Sequence, residues 1–181
     1  MRAAKKLWKY SKVMAKSKRN RRDMFVWLLR RPLIGFSIMV TEIGLMFSNR
    51  MDPMLKQLAE MKAAAMVNCE FCIDIASALG HVSGMSERQI LDLPRYRDSD
   101  AYTDIQKLVL SYAEAITRTP AISIDEIRAE LLTHFTKGQV AELAAAIVWE
   151  NHRARLNQAL GVRSTGMSDG MVCMIPEKPA A

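Results

Sequence analysis

Apolar residues recur at three- and four-residue steps along most of the chain, and no stretch alternates as a half-buried strand does. Leu55, Leu58, Met61 and Ala65 fall on one face of a helix that Asp52 caps, Pro53 opens and Met66 ends. Asn68 stands as the cap of the next helix, which carries Cys69, Cys72, Ile73, Ala76 and Leu79 along one stripe. Ser86 with Gln89 reads as a capping box for a short helix stopped by Pro94. Tyr96 to Thr103 is the most loop-like stretch. Ile105, Leu108, Val109, Tyr112 and Ile116 then keep a 3.6-residue period up to Thr119-Pro120. Ser123 with Glu126 and Thr136 with Gln139 open two further helices, the last ending near Gly161. From Ser164 the tail, with Gly166, Gly170, Pro176 and Pro179, reads as irregular. The pattern predicts an all-α chain in three parts: an arm over 1–31, a helical domain over 32–165 and a tail over 166–181.

Pro32 to Phe47 is the most apolar run. As a helix it extends about 24 Å, short of the roughly 30 Å of a bilayer core, and Glu42 lies within it. The run therefore predicts a buried or subunit-contacting helix rather than a membrane span. Arg30-Arg31 and the long basic region before it also argue against a cleavable signal.

Charge divides the chain unevenly. Residues 1 to 31 hold 12 Lys and Arg against Asp23 alone, a net +11, whereas the remainder is net −4. Lys5, Lys9, Lys12 and Lys16 recur at helical spacing, with Leu7, Tyr10 and Met14 on another side. This pattern admits a solvated tail or a basic amphipathic helix on an anionic surface. With Trp8, Tyr10, Phe25 and Trp27 interleaved and no nucleic-acid motif in view, the anionic partner it fits is a membrane surface rather than nucleic acid. Three cysteines without a secretory pattern suit the reducing cytoplasm, and the arm allows a peripheral place at the inner face of the membrane.

The candidate chemistry is the pair Cys69-x-x-Cys72 at a helix start. Residues i and i+3 share a helix face, so the two sulfurs can meet. The positive end of the helix dipole favours a thiolate there. One cysteine can then attack a peroxide or disulfide while the other closes the resolving bond. Two other readings stand beside it: inert packing of two small apolar residues, and half of a zinc site. Zinc needs about four ligands, and Cys173, His81, His134 and His152 form no second close pair. No metal, haem or flavin is expected. Cys173 reads as a bystander, and His134 as a dipole contact in the last turn of its helix. The pair lies outside any βαβ pattern, which disfavours a thioredoxin fold.

The stretch Gln57 to Asp74 and the later run Val140 to Asn157 together resemble the carboxymuconolactone decarboxylase / alkyl hydroperoxidase D-like family, over about residues 50 to 165. The resemblance implies an all-α, homo-oligomeric alkyl hydroperoxidase D-like domain. It implies that Cys72 attacks a hydroperoxide and Cys69 resolves, with electrons from a dithiol reductant. In the peroxidase branch a glutamate and a histidine relay protons; the matching positions here are Gln57 and Ala76, neither of which titrates. Glu60, one helical turn after Gln57, is the candidate substitute, with Glu70 and Asp74 beside the cysteines as others. His81 lies too far along the helix to take that part. His152, Arg153 and Arg155 can flank a pocket, although a structural pairing of Arg155 and Asn157 with neighbouring helices explains that end of the chain as well. The function expected is a thiol–disulfide oxidoreductase with hydroperoxide-reducing activity. The alternative is a non-catalytic, membrane-associated helical binding protein on the same scaffold. Lactone decarboxylation fits least, since that branch needs histidines this core lacks.

Overall fold

The structure, a computed structural model, describes residues 2–174 and Pro176. Among them every regular element is helical: α1 (Arg2–Met14), α2 (Asp23–Leu29), α3 (Pro32–Phe47), α4 (Pro53–Val67), α5 (Glu70–Ser83), α6 (Glu87–Leu91), α7 (Asp104–Thr117), α8 (Ile124–His134) and α9 (Lys137–Ala159), with a 3₁₀ turn at Leu93–Arg95. Pro179 of the expected irregular tail lies outside the described residues.

Helix α4 is the centre of the bundle and packs against α5, α7 and α9. Ala59, Ala63, Ala64 and Ala65 are fully buried on it, and their small side chains let three helices approach closely. Leu58 and Met61 fill one core with Cys69, Cys72 and Tyr96, while Val109, Leu143 and Ile147 fill a second. Two buried lysines of α4 fix its neighbours: Lys56 pairs with Glu142 of α9, and Lys62 Nζ lies 3.9 Å from Glu114 of α7. Loss of either member of the Lys56–Glu142 pair would leave a buried charge without its counter-ion, which destabilises far more than loss of a surface pair does.

Helix starts follow the sequence signals where a side chain can reach the first turn. Asp52 accepts from the Met54 and Leu55 amides at 2.8 and 3.2 Å. Capping boxes form at Ser86/Gln89 and Thr136/Gln139, and a third, not expected, at Thr103/Gln106. Two expectations need correction, and of the two readings of Pro32–Phe47, buried or subunit-contacting, the buried one falls. Asn68 does not cap α5; it is the C-cap of α4 in the left-handed region (φ 57°), and Cys69 takes the N-cap place of α5. Ser123 is also left-handed (φ 54°), and its hydroxyl makes no capping bond. Helix α3 forms over the expected span but buries none of its residues in this chain, with Leu33 83% exposed. Among the described residues no helix is long and apolar enough to cross a membrane.

The arm is not a solvated tail. Helix α1 lies on α5, where Val13 is fully buried against Ala78, Leu79 and Met167. Trp8, Phe25 and Trp27 stay exposed, whereas Tyr10 turns inward. What brings the arm there is Asp74 of α5. Its carboxylate accepts from the backbone amides of Thr165, Gly166, Met167 and Ser168 at 2.8 to 3.1 Å, and from the Ser168 hydroxyl at 2.7 Å. The loop so fixed offers the Thr165 carbonyl to the amides of Lys18 and Arg19, and Asp169 pairs with the Arg19 guanidinium.

Burial alone would raise the Asp74 carboxyl; the hydrogen bonds from Ser168, Met167 and Thr165 outweigh it and hold the group below the usual carboxylate range. A depressed native pKa stabilises the fold fully above the unfolded value, and that stability is lost as pH falls through the native one. Asp74→Asn should therefore lower stability by about 2–4 kcal/mol in denaturant melts at neutral pH. Its deficit against the wild type should shrink on acidification below about pH 4. A deficit that stayed constant with pH would show that the carboxylate charge contributes nothing.

Candidate active site

Cys69 stands where a serine or aspartate usually caps a helix. With φ −88° and ψ 108° its sulfur accepts from the Cys72 amide at 3.2 Å, so the thiol sits at the positive end of α5. Cys72, one turn on, is buried like its partner; the two are 3% and 1% exposed. The pair is asymmetric. Hydrogen bonding from the Cys72 side chain pulls the Cys69 thiol below its ordinary range, against the opposing effect of burial. Cys72 is pushed far up, first by that same bond to Cys69, then by burial and by the charge of Glu150. Asn157 of α9 points its amide at the Cys72 sulfur, 3.7 Å away.

Cys72 opens onto a cavity of about 350 Å³ that Cys69 does not line. Tyr10 and Met14 of α1, Leu28 of α2, and Ile38 and Met46 of α3 form its outer wall, so the N-terminal helices close the site. Its polar end holds Gln57 and Glu60 of α4 with Glu150, Arg153 and Asn157 of α9. Arg153 Nη1 binds both oxygens of Glu42 at 3.0 and 3.1 Å, and Nη2 binds Glu150 Oε2. Burial alone would weaken the Arg153 cation; Glu150, Glu60 and Glu42 outweigh it and hold the guanidinium charged. The Glu60 carboxyl is raised by burial and by Glu150, with Arg153 opposing.

The residues expected to matter are only partly brought together. Cys72 and Glu60 share the cavity, and Cys69 touches it only through Cys72. Gln57 and Ala76 both face it, so the two positions where the family relay would stand remain at the site without its chemistry. Glu70 and Asp74 do not line the cavity: Glu70 lies 3.6 Å from Arg163, and Asp74 is engaged by the loop. His81 is 2.8 Å from the Val172 carbonyl. Cys173 is exposed, with its sulfur 3.2 Å from the Ser168 hydroxyl. His152 stacks on Trp149 and lines the cavity. Arg155 reaches the Thr117 carbonyl at the end of α7, 3.5 Å away, and Asn157 reaches the Cys72 sulfur of α5, so each pairs with a neighbouring helix as expected. Glu150 was not singled out from sequence, although the spacing Glu150, Arg153, Asn157 places all three on one face of α9. Among the described residues no three His, Cys, Asp or Glu side chains gather as a metal site.

The helical bundle has known counterparts among solved structures. A protein of unknown function from Agrobacterium tumefaciens, proposed to be the antioxidant defence protein AhpD, superposes with a TM-score of 0.71 at 21% identity over 76% of this chain and 94% of that one. The debrominase Bmp8 superposes at 0.72 and 17% identity, over 87% of each chain. The fold is therefore alkyl hydroperoxidase D-like. No family model matches the sequence. The uncharacterized protein YnjA of Escherichia coli K12 is 34% identical over 155 residues, 84% of this chain and 81% of its own, and the chain belongs to the YnjA family. The uncharacterized protein YdfG of Bacillus subtilis 168 is 27% identical over 110 residues, 60% of this chain and 75% of its own.

The asymmetry of the thiols has a direct readout. Thiolate absorbance of the reduced protein should appear at a pH below that of free cysteine and vanish in Cys69→Ser. Thiolate absorbance surviving in that variant at the same pH would reverse the assignment.

Proposed function

We propose that this protein is a thiol–disulfide oxidoreductase that reduces hydroperoxides, with Cys72 attacking and Cys69 resolving. The observation that carries the reading is that Cys72 lines a cavity of about 350 Å³ while Cys69, at the helix start, does not. Attack by the Cys72 thiolate on the outer peroxide oxygen forms an S–O bond and breaks O–O, leaving an alcohol and a sulfenic acid. Cys69 then attacks the Cys72 sulfur, water leaves, and a disulfide remains for an external dithiol reductant to reopen. Glu60, raised by burial and lining the same cavity, is a proton carrier for these steps. No bound cofactor enters this scheme. The fold neighbour proposed as an antioxidant defence protein supports the reading, while the debrominase on the same fold means that fold alone does not choose the substrate.

A second reading rests on a separate observation. Leu29, Leu33, Phe36 and Phe47 expose apolar surface on α2 and α3, beside Arg30 and Arg31. That surface suits a second copy of the chain in a homo-oligomer, or the inner face of an anionic cytoplasmic membrane. On this reading the scaffold is a membrane-associated binding protein without catalysis.

One equivalent of a hydroperoxide should convert both thiols to a Cys69–Cys72 disulfide, mapped by mass spectrometry; two free thiols, or a bridge to Cys173, would contradict the redox reading.

A further inference from the structure

Two buried polar atoms of the cavity have no hydrogen-bond partner among the described residues: Glu150 Oε1, an acceptor, and Gln57 Nε2, a donor. Glu150 is only 4% exposed. A bare buried group costs about 1–3 kcal/mol, so its persistence calls for a function. The two sit on different helices, α9 and α4, and both line the cavity onto which Cys72 opens. Arg153 ties down Glu150 Oε2 and so leaves Oε1 as the free oxygen. An acceptor and a donor on one cavity match a group that both gives and takes a hydrogen bond, and a hydroperoxide O–O–H does so.

We propose that Glu150 is the catalytic base and acid of the Cys72 reaction, and that Gln57 donates to the peroxide held between them. The proposal rests on the hydroperoxide reading above and assigns its proton path. The Cys72 proton passes to Glu150 Oε1, and the sulfur attacks the outer peroxide oxygen. The S–O bond forms, the O–O bond breaks, and the departing alkoxide takes the proton back from Glu150 as an alcohol. In the second step the Cys69 thiolate attacks the Cys72 sulfur, the S–O bond breaks, and the leaving hydroxide takes a proton from the Glu60 carboxyl on the cavity wall and departs as water; the electrons that restore both thiols come from the external dithiol. Cys69 does not line the cavity, so a proton it accepted would lie behind Cys72 rather than beside the departing oxygen. The relay lost at positions 57 and 76 is thereby carried by α9 instead of α4 and α5.

Electrostatics makes the test sharp. The negative charge of Glu150 raises both thiols, so a residue acting through charge alone would, when neutralised, make Cys72 easier to ionise and faster to react. A base would make it slower. In stopped-flow oxidation by cumene hydroperoxide, Glu150→Gln should slow the first step by roughly ten- to a hundred-fold. Its rate should climb tenfold per pH unit through the neutral range, where the wild type changes little. Formate should restore part of the rate to Glu150→Ala, and circular dichroism melts would show whether either variant is folded. Alkylation of Cys72 by iodoacetamide, mapped by mass spectrometry, needs the same proton removal and no peroxide, and should slow in parallel. A wild type inert to peroxide, with alkylation still slowed by Glu150→Gln, would sink the hydroperoxide reading and leave Glu150 as the base. A rate equal to or above wild type in Glu150→Gln overturns the proposal, as does full loss in Glu60→Gln with Glu150→Gln unaffected.

Discussion

The buried carboxylate of Asp74 is the constraint on which the working shape of this protein depends. It collects four successive backbone amides from the loop after α9. A chain segment rich in glycine and serine has little apolar surface to hold it, and each hydrogen bond to a charged acceptor contributes more than a neutral one. Once fixed, that loop holds the turn at Lys18 and Arg19, which returns the basic arm across α5. The arm then supplies Tyr10 and Met14 to the cavity wall, and α2 and α3 complete it. One residue two positions after Cys72 thus links the thiol helix, the C-terminal loop and the cover of the site.

The site so enclosed is poor in free charge but rich in paired charge. Arg153, the cation of the site, is shared between Glu42 and Glu150. Cys72 is therefore kept as a thiol at rest, whereas Cys69 gains from the helix start and from its neighbour's hydrogen bond. A buried thiol that is not ionised resists adventitious oxidation and alkylation, because the thiolate is the reactive form. The chemistry then depends on a proton being removed on demand, which places the weight of the mechanism on the carboxylates of α4 and α9.

Much of this was legible in the sequence because the signals were local. Pro53 after Asp52, and the Ser86/Gln89 and Thr136/Gln139 pairs, specify helix starts within four residues, and the helices begin there. Cys69 and Cys72 announce their own contact by spacing. What could not be read depended on partners far apart in the chain. Asn68 has the right chemistry for a cap, yet the left-handed exit of α4 claims it and passes the cap to Cys69. The arm's charge run looked solvated because nothing local reveals that Val13 meets Met167. Asn157 and Glu150 resemble ordinary helix polar residues until α9 crosses α5 and turns them toward Cys72.

Peptide-resolved hydrogen exchange, comparing the wild type with Asp74→Asn at neutral pH, tests the central link between carboxylate, loop and arm most directly. In the wild type the amides of α1 and of residues 164–169 should both be protected. In the variant they should lose protection together, while α4, α7 and α9 retain theirs. An arm that exchanges freely in the wild type, or stays protected in the variant after the loop has opened, would contradict the account.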